Sequence, residues 1–257
     1  MTADEPLRPV PRVEIHPDAE TLAVTVAGAL LGRIAEVQEA GNQVHIALTG
    51  GTIAELVHRE IARHHSGAVP DVRPVDWTRV HVWWGDERFV AHDSPDRNAR
   101  QAREAFLDEV GASQVHEVPA ADQVDDAEAA ASSYADTMHE HGSGEFDVLM
   151  LGLGPDGHVA SLFPGHHALE VDDRIAVAVH DSPKPPADRV SLTFAALNRA
   201  RSVWFLVSGD GKADAVARAI AEPGSAPGTT VAETPARGVL GREETIWFLD
   251  SAAASAL

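Results

Sequence analysis

Residues 152–158, Gly152-Leu153-Gly154-Pro155-Asp156-Gly157-His158, place an imidazole and a carboxylate in a glycine-lined turn. Histidine is the side chain best suited to give and take protons near neutrality. Asp156, two residues away, is placed to orient the ring or the turn. The spacing also matches GxGxxG, the dinucleotide fingerprint. That fingerprint needs a long helix directly after the glycines, and Pro164 arrives six residues after His158. The chain holds 14 histidines, so a purely structural role competes evenly with a chemical one.

Three further clusters offer anion and hydroxyl recognition. In Thr49-Gly50-Gly51-Thr52 the paired glycines let backbone N–H groups approach a ligand, and the following helix adds positive charge at its N-terminus. This suits a phosphate; the plain alternative is a tight turn with Thr52 as helix cap. It is not a P-loop, because GxxxxGK[ST] is absent. Gly85-Asp86-Glu87-Arg88 follows an apolar run, and charges there are costly unless solvated, paired or used. Arg88 could clamp a phosphate, and Asp86 could orient a hydroxyl or act as a base; a salt-bridged surface turn is the alternative. Lys212, in Gly209-Asp210-Gly211-Lys212, stands at a helix start, where a cation is unfavourable until an anion is held there. With Arg189 it extends the set. The chain has only two lysines, Lys184 and Lys212. Coding bias explains the scarcity, yet under such a bias each retained lysine is of interest.

Alternating strand-like runs and helix-period segments must position these clusters. Strands are expected at 12–16, 44–48, 80–84, 146–151, 175–179, 190–193, 203–207 and 245–249. Helices are expected from Pro17 in a first turn to a stop at Gly41, and over 52–65, 96–110, 127–138 and 212–221. Stretches 181–188 and 222–238 read as loops. The β-α-β-α order implies an α/β fold: one Rossmann-like three-layer domain over 1–257, with a mainly parallel sheet and helices on both faces. Ligands in such folds sit beyond the carboxyl ends of the strands, and the polar clusters directly after strands are the places to search; Arg189, just before the strand at 190–193, is the exception.

Composition narrows the function. The chain has 257 residues, 44% hydrophobic and 23% charged, enough to bury a core without staples. It has no cysteine, which removes disulfides, thiolate catalysis and Cys-ligated metals and fits a reducing compartment. A net charge of −20 argues against nucleic acid or an anionic membrane surface as partner. Against that background Arg88, Arg189 and Lys212 form a local cationic site. Residues 1–17 lack an apolar core, so no signal peptide is expected. The histidine pairs His64-His65 and His166-His167 lack partners at ligand spacing, and no metal site is expected.

Taken in order, the motifs resemble the 6-phosphogluconolactonase family. The resemblance runs through 48–52, 82–88, Asn98, 151–164, 189–193, 211–213 and 247–250, nearly the whole chain, and its specific part is 152–164. Departures are Gly50-Gly51-Thr52-Ile53-Ala54, where the family pattern has Gly-Gly-Ser-Thr-Pro, and Arg97, where a serine is usual before the Asn. Related glucosamine-6-phosphate deaminases share the Asp-Gly-His turn but carry a Glu five residues after its histidine. Here that position is Phe163, which cannot transfer protons. The resemblance implies hydrolysis of 6-phospho-D-glucono-1,5-lactone in the oxidative pentose phosphate pathway, with no cofactor and no metal. It implies His158, Asp156 and Asp86 as catalytic residues. It implies Gly50, Gly51, Thr52, Arg88, Asn98, Arg189 and Lys212 as substrate-binding residues. The implied partner is a small sugar phosphate, and the chain is expected to be cytoplasmic and a monomer or weak homo-oligomer.

Overall fold

Five short apolar strands with both faces buried must lie inside a layered fold. Val44–Leu48 (β2) and Val80–Trp84 (β3) have every residue buried, as do Val148–Leu151 (β6) and Ser202–Val207 (β9). Glu244–Asp250 (β10) is buried from Thr245 onward. With Arg12–His16 (β1) and Gln114–Val115 (β5) at the edges they form a wholly parallel sheet of seven strands, ordered β1-β10-β9-β6-β2-β3-β5. The computed structural model describes residues 8–68, 73–222 and 224–257. Residues 1–7 of the expected leaderless N-terminus and residue 223 of the expected loop 222–238 lie outside them.

Alternate strand residues feed two cores. Ile46, Leu48, Val82, Trp84 and Met150 point to one side and pack with Ala19–Glu39 (α1), Thr52–His65 (α2) and Asn98–Ala102 (α3). Ala47, Trp83, Leu149 and Leu151 point to the other, against Ala127–His141 (α4), Phe194–Leu197 (α5) and Ala213–Ile220 (α6). Asp18, not Pro17, begins α1: its carboxylate accepts the Thr21 N–H at 2.7 Å, so Pro17 precedes the cap. Gly41, at φ +86°, ends the helix as expected.

Two expected strands leave the main sheet. Ala176–Val179 (β7) and Arg189–Leu192 (β8) pair antiparallel, and with Asp86–Arg88 (β4) they form a second sheet of three strands, β4-β8-β7. The connection 180–188 is too short for a parallel crossover, which dictates the hairpin. The second layer on that face is therefore part helix and part sheet. Gly85 is the seam: its N–H donates to Leu48 O at 3.1 Å, and its carbonyl accepts the Leu192 N–H at 2.9 Å. The helix expected over 96–110 begins at Asn98 and passes into a π-helical turn, Arg103–Leu107.

Candidate active site

The strand order reverses between β2 and β6. From β2 the chain steps outward through β3 and β5, and from β6 outward through β9 and β10. Loops leaving those two carboxyl ends diverge and open a crevice, the usual ligand position in open parallel sheets. A cleft of about 260 Å³ lies there. Its lining includes Gly50, Gly51, Asp86, Arg88, Asn98, His158, Arg189 and Lys212, together with Thr49, Gly152, Leu153, Ala160, Lys184 and Pro185.

After β6 the chain folds tightly. Gly157 adopts φ +92°, and the Gly154 N–H donates to His158 O at 3.0 Å. His158 Nδ1 lies 2.5 Å from Asp156 Oδ1. Asp156 is partly desolvated, which alone would raise its carboxyl, but the hydrogen bond and charge of His158, with Lys184 adding, hold it at about 2. An ionised carboxylate only accepts, so Nδ1 carries the proton and Nε2 is the basic nitrogen. Nε2 has no protein partner among the described residues, and the ring lines the cleft. Phe163 packs its ring 4.5 Å from the imidazole centroid. The next turn, 159–162, closes through the Leu162 N–H to Val159 O bond at 2.9 Å and holds Ala160 at φ +49°. That turn sends Ser161 inward, where its hydroxyl donates to Asp86 Oδ2 at 2.6 Å.

The loop after β2 presents the N-terminus of α2. Gly51, at φ +97°, occupies the cap position with no side-chain cap. Among the described residues no hydrogen bond uses the N–H of Gly50 or Gly51. Thr52 is neither the cap nor part of the cleft lining. It borders an adjoining hollow with Glu55, Arg59 and Gln101, whereas Thr49 faces the cleft. Ile53 is buried in the core, so the hydroxyl missing there relative to the family pattern is replaced by packing.

Buried Glu87 organises the opposite wall. Its carboxylate accepts N–H bonds from Arg88, Asn98 and Ala99, each at 2.8 Å, and so starts α3. Burial pushes this carboxyl up to about 7 against the pull of Arg97 and those three donors. Asn98 is then locked: Nδ2 donates to Asp86 O at 3.0 Å, and Oδ1 accepts from Arg88 at 2.7 Å. Arg97 turns away, burying its guanidinium against Val118 O at 2.7 Å, so it does not displace Asn98. Arg189 aims Nε and Nη2 at the carbonyls of Pro186, Lys184 and Pro185, 3.1–3.3 Å away, and lies 5.6 Å over the Phe163 ring. Lys212 donates to Leu153 O.

The structure thus brings eight of the ten residues named from the sequence to the rim of one cleft; Asp156 stands behind His158, and Thr52 lies beside it. Lys184, Ser161, Glu87 and Thr49 are additional. Thr49, Glu87 and Ser161 lay within the motifs marked in the sequence without being assigned a role, and Lys184 stood out as one of two lysines. Among the described residues no group of three His, Asp or Glu side chains is placed to hold a metal ion.

The family model for glucosamine-6-phosphate isomerases/6-phosphogluconolactonase matches residues 17–247. The chain belongs to this family. Within it, a Streptomyces coelicolor protein named 6-phosphogluconolactonase is 40% identical over 96% of this chain and 95% of its own. A Mycobacterium tuberculosis protein of the same name is 40% identical over 95% and 98%. Among solved structures, the 6-phosphogluconolactonase of Thermotoga maritima superposes with a TM-score of 0.78 at 27% identity, covering 93% of this chain and 99% of that one. That of Trypanosoma brucei gives 0.80 at 26%, covering 96% and 98%. A glucosamine-6-phosphate deaminase shares the family fold at 19% identity and a TM-score of 0.76.

Proposed function

We propose that the chain hydrolyses 6-phospho-D-glucono-1,5-lactone to 6-phospho-D-gluconate, a step of the oxidative pentose phosphate pathway. The observation that carries this reading is the 2.5 Å pairing of Asp156 with His158 Nδ1, which leaves Nε2 free beside a cleft rimmed by cations. The names of the 40%-identical relatives support it. An activated lactone needs a water, a base and support for the oxyanion. His158 Nε2 takes a proton from water as its oxygen bonds to C1. The tetrahedral oxyanion meets backbone N–H groups of the glycine turns. The bond from C1 to the ring oxygen then breaks, and the imidazolium returns its proton to that oxygen. Asp156 holds the ring in its tautomer. Asp86, anchored by Ser161, orients sugar hydroxyls through its other oxygen. Arg88, Arg189, Lys212 and the Gly50-Gly51 turn hold the phosphate and so align C1. The step as written uses no cofactor.

Phe163 against the imidazole argues for water attack over the ring opening of a deaminase, because a phenyl ring offers no second proton carrier. The absence of cysteine fits a cytoplasmic setting, and no helix among the described residues is long and apolar enough to cross a membrane. The test is a stopped assay on freshly generated lactone. Wild type turns over, and His158→Ala loses about 10²–10⁴ in kcat. Ammonia release from glucosamine 6-phosphate, or an unchanged rate in the His158 variant, would refute the reading.

A further inference from the structure

The cations of the cleft differ in what the protein already asks of them. Arg189 directs two of its nitrogens at backbone carbonyls, Arg88 bonds Asp96 O and Asn98 Oδ1 at 2.8 and 2.7 Å, and Lys212 donates to Leu153 O. Lys184 lines the same cleft, half-buried, and among the described residues its Nζ makes no hydrogen bond or ion pair. Its backbone is fixed with unusual care. Arg189 Nη2 donates to Lys184 O at 3.1 Å, Ser182 Oγ donates to the same carbonyl at 2.9 Å, and the Lys184 N–H donates back to Ser182 Oγ at 3.3 Å. A loop pinned from both sides holds up an ammonium that is bonded to nothing.

Its electrostatic neighbours say what should fill the gap. Burial pushes the Lys184 ammonium down, with Asp156 pulling it up and Arg189 pushing further down. Burial likewise depresses Lys212, and Lys184 adds to that depression. Lys184 thus shares the cleft lining with Arg88, Arg189 and Lys212, and the nearby carboxylate of Asp156 is already bonded to His158. Converging like charges repel one another unless an anion neutralises them. A transient single negative charge at C1 answers part of that repulsion; a phosphate group, near −2 at neutral pH, answers most of it. The chain's two lysines, out of 257 residues, meet at this one cleft.

We infer that Lys184 is a phosphate-binding, specificity-determining residue of this site, the cation that selects a phosphorylated lactone over an unphosphorylated one. This rests on the function proposed above. The loop brings Nζ to the phosphate beside Arg189, whose Nε and Nη2 also pin that loop, and the reacting carbon is left to His158.

The test compares kcat/KM on 6-phosphogluconolactone and on unphosphorylated D-glucono-1,5-lactone for wild type, Lys184→Met and Lys184→Arg, with inorganic phosphate as competitive inhibitor. A charge-assisted hydrogen bond of ordinary strength corresponds to about a 10- to 100-fold loss. Lys184→Met should lose that factor on the phosphorylated substrate, mainly through KM, lose far less on the unphosphorylated one, and bind inorganic phosphate more weakly. Lys184→Arg should recover much of the loss. Equal losses on both lactones, or none on either, would overturn the inference. A wild type that does not discriminate between the lactones would instead strike at the proposed function itself.

Discussion

Asp156 and His158 lie on the same turn, two residues apart, with Oδ1 and Nδ1 at 2.5 Å, and a Cβ at Gly154 would collide with both side chains. The glycine spacing that mimics a dinucleotide fingerprint thus serves a different end: it clears space so that a carboxylate and an imidazole can fold onto one another.

Replacing that carboxylate isolates its role. Asp156→Asn keeps the shape but removes the charge that favours Nδ1–H. We expect kcat to fall about tenfold to a hundredfold, a part of the 10²–10⁴ assigned to a general base, with KM little changed. Asp156 is held at about 2, so it is ionised throughout the neutral range. The loss in kcat should therefore be present across the neutral range in steady-state assays. An undiminished kcat in the variant at neutral pH would mean that the carboxylate does not orient the ring.

The glycines after β2 separate two kinds of constraint. A Cβ on Gly50 would strike the Asn98 carboxamide, the group that steers Arg88. Gly50→Ala should cost about 1–3 kcal/mol through overpacking and raise KM by displacing Asn98. Gly51 has open space around its Cβ position but sits at φ +97°. Gly51→Ala should cost about 1 kcal/mol through backbone strain alone. Thermal unfolding with KM measured alongside distinguishes them; identical effects would contradict this assignment.

These contrasts mark what can be read from residues alone. β2, β3, β6 and β9 were legible because short, predominantly apolar runs, broken only by His45 in β2, His81 in β3 and Ser202 at the start of β9, are what a doubly covered strand requires. The site was legible because Gly-rich and charged clusters fell directly after those runs. Asp86–Arg88 was not legible as a strand, since three charged residues give no period-2 signal; the pairing with β8 becomes possible only once Gly85 turns the chain into the second sheet. Nor could Glu87 be assigned, because its partners at Asn98 and Ala99 are defined by tertiary approach. Arg189 was read as a phosphate ligand from its type; that its Nε and Nη2 also hold the carbonyls of residues 184–186 could not be read, because only the fold brings them together.

Glu87 makes a pH prediction of unusual sign. Its ordinary value is 4.5, and burial raises it to about 7 in the folded chain. Between those values the folded state binds more protons than the unfolded one, so this residue's contribution to stability falls as pH rises. Glu87→Gln does not titrate. Relative to that variant, wild type should lose roughly 3 kcal/mol between pH 4.5 and 7, measured by denaturant unfolding. A difference that stays flat with pH would mean that the three N–H donors hold the carboxylate ionised throughout.

Histidines away from the cleft set the acid limit in the opposite direction. At the amino ends of β2 and β3, His45 stacks on His81 at 4.4 Å, and His81 stacks on His116 at 5.2 Å, with Nδ1 and Nε2 of the latter pair 3.0 Å apart. A hollow of about 220 Å³ opens beside His45 and Trp83. Burial, with the neighbouring imidazoles, lowers His45 and His116 from 6.5 to about 4. His58, fully buried against Phe106, falls to about 4 by desolvation alone. For each, the unfolded chain takes up protons first as pH drops below 6.5, so stability present above that value is lost on the way down to about 4. His58 alone corresponds to roughly 3 kcal/mol over that interval. His58→Leu should unfold less steeply than wild type as pH falls from 6.5 to 4, while differing little in slope from wild type between pH 7 and 8. Parallel profiles for the two proteins through the acid range would show that His58 is not among the groups responsible.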